Sequence, residues 1–138
     1  MVDALREAQR VLTRSGVLID VRPVTAPILV ELLVVTQAVW AKTVHSYSSP
    51  QDVAAADDAV QHAVSRGWFV FESSLAFDFD IYCDSATELK VYAEGRKLLG
   101  AEIPYEELEE RQREFAAEGQ TTRLRCRRPW MLIKYRKK

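Results

Sequence analysis

An α+β fold, with a mixed, mainly antiparallel sheet and helices packed largely on one face, is what this sequence predicts. Three observations point to it. "WFVFESSLAFDFDIY" alternates apolar and polar residues at the period of a half-buried strand. "ILVELLVVTQAVWAKTVHSY" is rich in β-branched and aromatic residues and reads as a hairpin. Between such stretches lie segments with caps and apolar stripes at helical spacing. The expected order is helix, strand, hairpin, helix, long strand, two helices and strand. At 138 residues, 48% of them apolar, the chain is the size of one domain, 1–138.

The first helix sets Leu5, Ala8 and Leu12 on one face, and Gly16 is expected to supply the left-handed residue that ends it. "VLIDVRP" then reads as a strand covered on both faces, closed by Pro23. In the 28–46 stretch a helix competes with the hairpin, and Thr36-Gln37 is weak turn chemistry. Ser49, Pro50 and Asp52 open the next helix, whose stripe is Val53, Ala56, Val60 and Ala63 and whose end is Gly67.

In the long strand, Phe69, Phe71, Leu75, Phe77, Phe79 and Ile81 share a face, with a bend expected near Ser73-Ser74. Ser85 and Glu88 form a capping box for a helix that Gly100 ends. A further helix carries Tyr105, Leu108, Gln112 and Phe115 and stops before Gly119. The last strand is broken at Pro129, which belongs at a bulge or an edge.

Net charge is -1, but its distribution is uneven. From Gln120 onward Arg123, Arg125, Arg127, Arg128, Lys134, Arg136, Lys137 and Lys138 stand without an acid. The alternation of Arg123, Arg125 and Arg127 with Leu124 and Cys126 marks one wet strand face, and the acidic helix before it offers a partner for the charge. That balance argues against nucleic acid, whose binding domains carry net positive charge. No long uncharged apolar run or secretory leader is present, so no membrane partner is expected. Cys83 and Cys126 lie far apart, which suits a reducing, cytoplasmic setting.

Catalytic chemistry has little to stand on. His45 and His62 are too separated for a metal site, and neither cysteine has a partner at ligand spacing. His62 falls off its helix's apolar stripe and reads as a surface residue. Ser73 and Ser74 lack a nucleophile elbow. Asp78 and Asp80 share the solvated strand face. The five glycines stand singly, so no phosphate cradle forms. A ligand pocket, if there is one, gathers Trp40, His45 and Tyr47 at the end of the hairpin.

"ALREAQRVLTRSGVLIDVRP", Ala4 to Pro23, resembles a stretch of class I S-adenosylmethionine-dependent methyltransferases of the type-11 kind. There it comprises the helix after the fourth strand, an R-V-L-x-x-G-G turn and the fifth strand. Here the turn reads Arg10-Val11-Leu12-Thr13-Arg14-Ser15-Gly16, with Ser15 for the first glycine. "FDFDIYCDSATELKVYAE" is similar to the family's sixth-strand region and following helix, and "RLRCRRPWMLIKYRK" to its closing antiparallel strand. The resemblance covers the C-terminal half of that Rossmann-like domain. The family's glycine-rich loop and ribose-binding acid have no counterparts among these residues, so no cofactor-binding or catalytic residue carries over.

The resemblance thus implies a truncated methyltransferase-like module that binds no S-adenosylmethionine alone and is inactive alone. It is expected to self-associate as a homodimer through residues 1–40, where "VLIDVRP" leaves an edge to be paired. One alternative is the substrate-side subunit of a split enzyme, with a separate cofactor-binding subunit. The other is an unrelated small α+β ligand-binding domain built around Trp40, His45 and Tyr47.

Overall fold

The protein is described by a computed structural model covering residues 1–45, 50–96 and 102–138. Its elements are α1 (Val2–Val11), β1 (Val17–Pro23), β2 (Ile28–Val34), β3 (Gln37–Val44), α2 (Pro50–Ser65), β4 (Phe69–Cys83), α3 (Ala86–Arg96), α4 (Tyr105–Ala117) and β5 (Thr122–Lys137). This is the order that the sequence predicts. The five strands form one sheet in the order β1-β5-β2-β3, with β4 also on β5. Where a mixed sheet was the expectation, the sheet is antiparallel. Two compact units make up the chain, and β4 and β5 contribute to both.

The first unit comprises Met1–Thr25, Ser48–Phe77 and Trp130–Lys138. Leu5, Ala8 and Leu12 from the α1 region, with Val60 and Ala63 of α2, pack on Leu18, Phe69, Ile133 and Tyr135. Phe69, 2% exposed, anchors this cluster, and burying such a side chain is worth about 2–3 kcal/mol. β1 pairs with the C-terminal part of β5, from Val17 opposite Arg136 to Pro23 opposite Trp130. The helices cover the Leu18 and Tyr135 face of this pair. The opposite face of β1 is open, contrary to the strand covered on both sides that its apolar run implies: Val17, Ile19 and Val21 are 37%, 47% and 46% exposed.

Gly16 does not end α1 in the way its type suggests. The left-handed residue is Ser15, at φ 65°. Gly16 serves a different need, because a Cβ there would stand 2.9 Å from the Thr13 carbonyl oxygen and 3.0 Å from the Leu12 Cβ. Two cationic residues of β5 close this turn. Lys137 Nζ donates to the Leu12 carbonyl at 2.6 Å, and Arg136 Nη1 to the Ser15 carbonyl at 3.2 Å. The Leu12 carbonyl, left unsatisfied at the C-terminus of α1, thereby meets positive charge.

β4 runs unbroken from Phe69 to Cys83, so the bend expected at Ser73-Ser74 does not interrupt it. Its apolar face is only partly buried: Phe71, Leu75 and Phe79 are each about half exposed. Ser49 and Gly100, assigned to helix ends, lie outside the described residues.

The second unit comprises Ala26–Tyr47 and Asp78–Pro129. β2 and β3 are the predicted hairpin, with Val34 opposite Gln37. The turn is Val35-Thr36, one residue earlier than the Thr36-Gln37 pair in the sequence reading. Val35 takes φ 58°, a position of a two-residue turn that glycine normally fills. β2 is an interior strand, paired with β3 on one side and with β5 on the other. Ile28, Val30 and Leu32 join Val44, Leu124, Cys126, Ala86, Leu89 and Leu108 in one buried cluster.

Tyr105 and Phe115 extend the α4 stripe onto that core, as its spacing predicts. Gln112, placed on the same stripe, is instead a polar latch. Its Oε1 accepts from the Ala86 N–H at 3.0 Å, and its Nε2 donates to the Asp84 carbonyl and to Thr122 Oγ1. At the start of α3, Ser85 Oγ accepts from the Glu88 N–H, while the Glu88 carboxylate accepts from the Asp84 N–H at 2.7 Å. β5 is continuous across Pro129, which falls between the residues paired with β2 and those paired with β1. No ladder bond to β1 or β2 is needed from it there.

Candidate functional site

Of the predicted pocket, Trp40 and His45 reach the α4 region and find partners, while Tyr47 lies outside the described residues. Trp40 Nε1 donates to Glu107 Oε1 at 3.0 Å. The His45 backbone N–H donates to Glu102 Oε2 at 3.1 Å, and its Nδ1 stands 3.4 Å from the same oxygen. The His45 backbone contact, then its ring, holds the Glu102 carboxyl below the ordinary carboxylate range. Lys42 Nζ donates to the Glu102 carbonyl at 3.1 Å. These contacts tie the hairpin to the segment before α4.

The basic stretch of β5 is paired, though not with the acidic helix that precedes it. Arg125 Nε donates to Glu31 Oε2 at 2.8 Å, because the β2–β5 register sets those residues opposite each other. Arg127 Nε lies 3.4 Å from Asp80 Oδ1 and 4.0 Å from Asp78 Oδ2. Arg123 Nε meets Asp84 at 3.0 Å, and its guanidinium lies over the Tyr82 ring. Asp78 keeps the solvent exposure that its strand face predicts, while the less exposed Asp80 is a rung of an ion ladder across three strands. The hydrogen bond to Glu31 raises the Arg125 pKa further. α4 keeps its own acids, with Glu107 bonded to Arg111.

Other chemistry is scarce among the described residues. They contain no group of three or more His, Cys, Asp or Glu side chains placed to hold a metal ion. No described helix is long and apolar enough to cross a membrane. Cys83 and Cys126 are free and buried, and burial pushes the Cys126 thiol up to about 12. A thiol so held is a poor nucleophile near neutral pH. His62 is exposed, edge-on to Trp68. An open cleft of about 550 Å³ is lined by Ser85, Thr87, Glu109, Gln112, Arg113 and Thr122. Its central polar group, Gln112, is already bonded on both sides.

What stands out is the edge of β1. Lys137 N–H donates to the Gly16 carbonyl at 2.8 Å, so Gly16 and its even-numbered followers face β5 with their backbone groups. Val17, Ile19 and Val21 therefore turn their N–H and C=O groups away from β5, and no described strand pairs with them. These are also the residues with exposed apolar side chains. Residues 1–40 contain this edge, which the sequence reading assigned to association. The ladder of Glu31, Arg125, Asp80 and Arg127 was not anticipated, since alternation gives a residue's face but not its cross-strand partner.

Comparison with protein-family models, curated proteins and solved structures finds no match.

Proposed function

We propose that this chain is a methyltransferase-like module, similar to the C-terminal half of the class I fold, that acts through association and carries no S-adenosylmethionine site of its own. The observation that supports this reading most directly is the Ser15-Gly16 turn. In the R-V-L-x-x-G-G pattern both final positions are glycine, and here both positions have a backbone reason to be. Ser15 sits at a positive φ, which glycine adopts without steric cost. Gly16 has no room for a Cβ. The arrangement of β1, β4 and β5 also fits. The resemblance makes β5 the closing antiparallel strand, and β5 lies between β1 and β4 in an antiparallel sheet. The hairpin β2–β3 and α4 are then additions to that frame.

Methyl transfer needs the donor's sulfonium held in line with the acceptor, and positioning supplies much of the rate. The residues of this chain include no glycine-rich cradle to hold that donor. Titration calorimetry of the chain with S-adenosylmethionine tests the reading: no saturable heat is expected. Binding at micromolar concentration would overturn it. A second reading, the substrate-side half of a split enzyme, draws on the same open edge of β1, with a cofactor-binding subunit as its occupant.

A further inference from the structure

We propose that the open edge of β1 pairs with β1 of a second copy, antiparallel about a twofold axis at Ile19, joining two sheets into one. This rests on the association reading above and gives it a partner and a register. Val17, Ile19 and Val21 supply outward N–H and C=O groups, and their side chains form an exposed apolar stripe on one face. Pairing with β5 is regular along the whole strand, so no bulge turns the edge away; no lysine stands on it, and its proline, Pro23, is the last residue, beyond the Val17–Val21 stretch. Edges that avoid pairing usually have such a device.

The strand's own sequence selects the register. A twofold at Ile19 sets Val17 opposite Val21 of the other copy and Ile19 opposite itself. Every outward N–H then meets a carbonyl, and the two stripes merge into one apolar band. On the helix-bearing face, Asp20 falls opposite Leu18. A twofold at Asp20 would oppose two carboxylates directly, which is unfavourable between cross-strand neighbours. A twofold at Val21 would set Ile19 opposite Pro23, which has no N–H to give. A twofold at Leu18 would carry Val21 past the strand's start to Ser15, whose φ of 65° takes it out of the ladder.

Light scattering on the intact chain should give the dimer mass at tens of micromolar. Ile19→Lys, which sets two like charges face to face, should raise the dissociation constant roughly a hundredfold with an unchanged circular dichroism spectrum. Val91→Lys on α3, more exposed than Ile19 and remote from β1 in sequence, should leave the mass unchanged. The register is read with nitroxide labels on Val17→Cys, Ile19→Cys and Val21→Cys, since Cys83 and Cys126 are buried and resist labelling. Dipolar broadening should be strongest at position 19 and equal at 17 and 21, whose labels are offset by about 13 Å along the strand. A monomer mass, or a dimer with no coupling at these positions, overturns the proposal while leaving the calorimetric test of the methyltransferase-like reading intact. Strongest coupling at 17 or 21 overturns the register.

Discussion

At the scale of single residues, Ser15 and Gly16 show how two adjacent positions carry different constraints. Ser15 is strained because an L side chain at positive φ crowds its own backbone, at about 1 kcal/mol or more. Ser15→Gly should therefore raise stability by roughly 0.5–1 kcal/mol, the relief of strain exceeding the added chain entropy. Gly16→Ala should lower it by roughly 1–3 kcal/mol, since the new methyl meets the Thr13 carbonyl and the Leu12 side chain. Urea unfolding of the two variants measures both signs. Opposite expectations at neighbouring sites make the pair a sharp check on the turn, and a stabilised Gly16→Ala would refute its geometry.

At the scale of elements, the central question is why β5 can carry so many arginines inside a sheet. Glu31 is only 6% exposed and its carboxylate faces Arg125, with Arg127 at the limit of ion-pair distance. Glu31→Ala should cost roughly 3 kcal/mol, because it leaves the largely buried Arg125 guanidinium with a more distant carboxylate, Asp80 at 3.9 Å. Replacing Glu31 and Arg125 together by leucine should recover most of that loss, since the desolvation penalty disappears with both charges. Denaturant midpoints for the single and double variants separate the two effects. A single variant as stable as the parent would mean that the ladder is only decorative.

At the scale of the whole molecule, ion pairing makes stability sensitive to acid. Glu72 is held below the ordinary carboxylate range by Arg136 first and Lys134 second. Glu102 is held down by His45, and Glu7 by Arg10. A carboxyl depressed in the folded state contributes stability that is present above its unfolded pKa, about 4.3, and is lost as pH falls through the folded value. The urea midpoint should thus stay level with respect to these groups above about pH 5 and fall below it. Glu72→Gln should flatten part of that fall. An acid limb of unchanged steepness in Glu72→Gln would show that the Arg136 and Lys134 contacts do not persist in solution.

Local pattern alone was enough for the element order, for the α1 and α4 stripes and for the hairpin. Those depend on period and turn residues within a few positions of one another. The α+β class follows from them, whereas the expectation that β1 has an edge to be satisfied rests on the resemblance. Tertiary structure decided the rest. Arg125 finds Glu31 across 94 positions of sequence, and no periodicity encodes which acid a strand's register will bring opposite a given arginine. Trp40 and His45 are drawn to Glu107 and Glu102 rather than to each other, because α4 packs beside β3. Glycine at position 16 was legible as a special backbone site. That its reason is close approach, with the left-handed turn assigned to Ser15, depends on where the α1 carbonyls lie when β5 arrives to cap them.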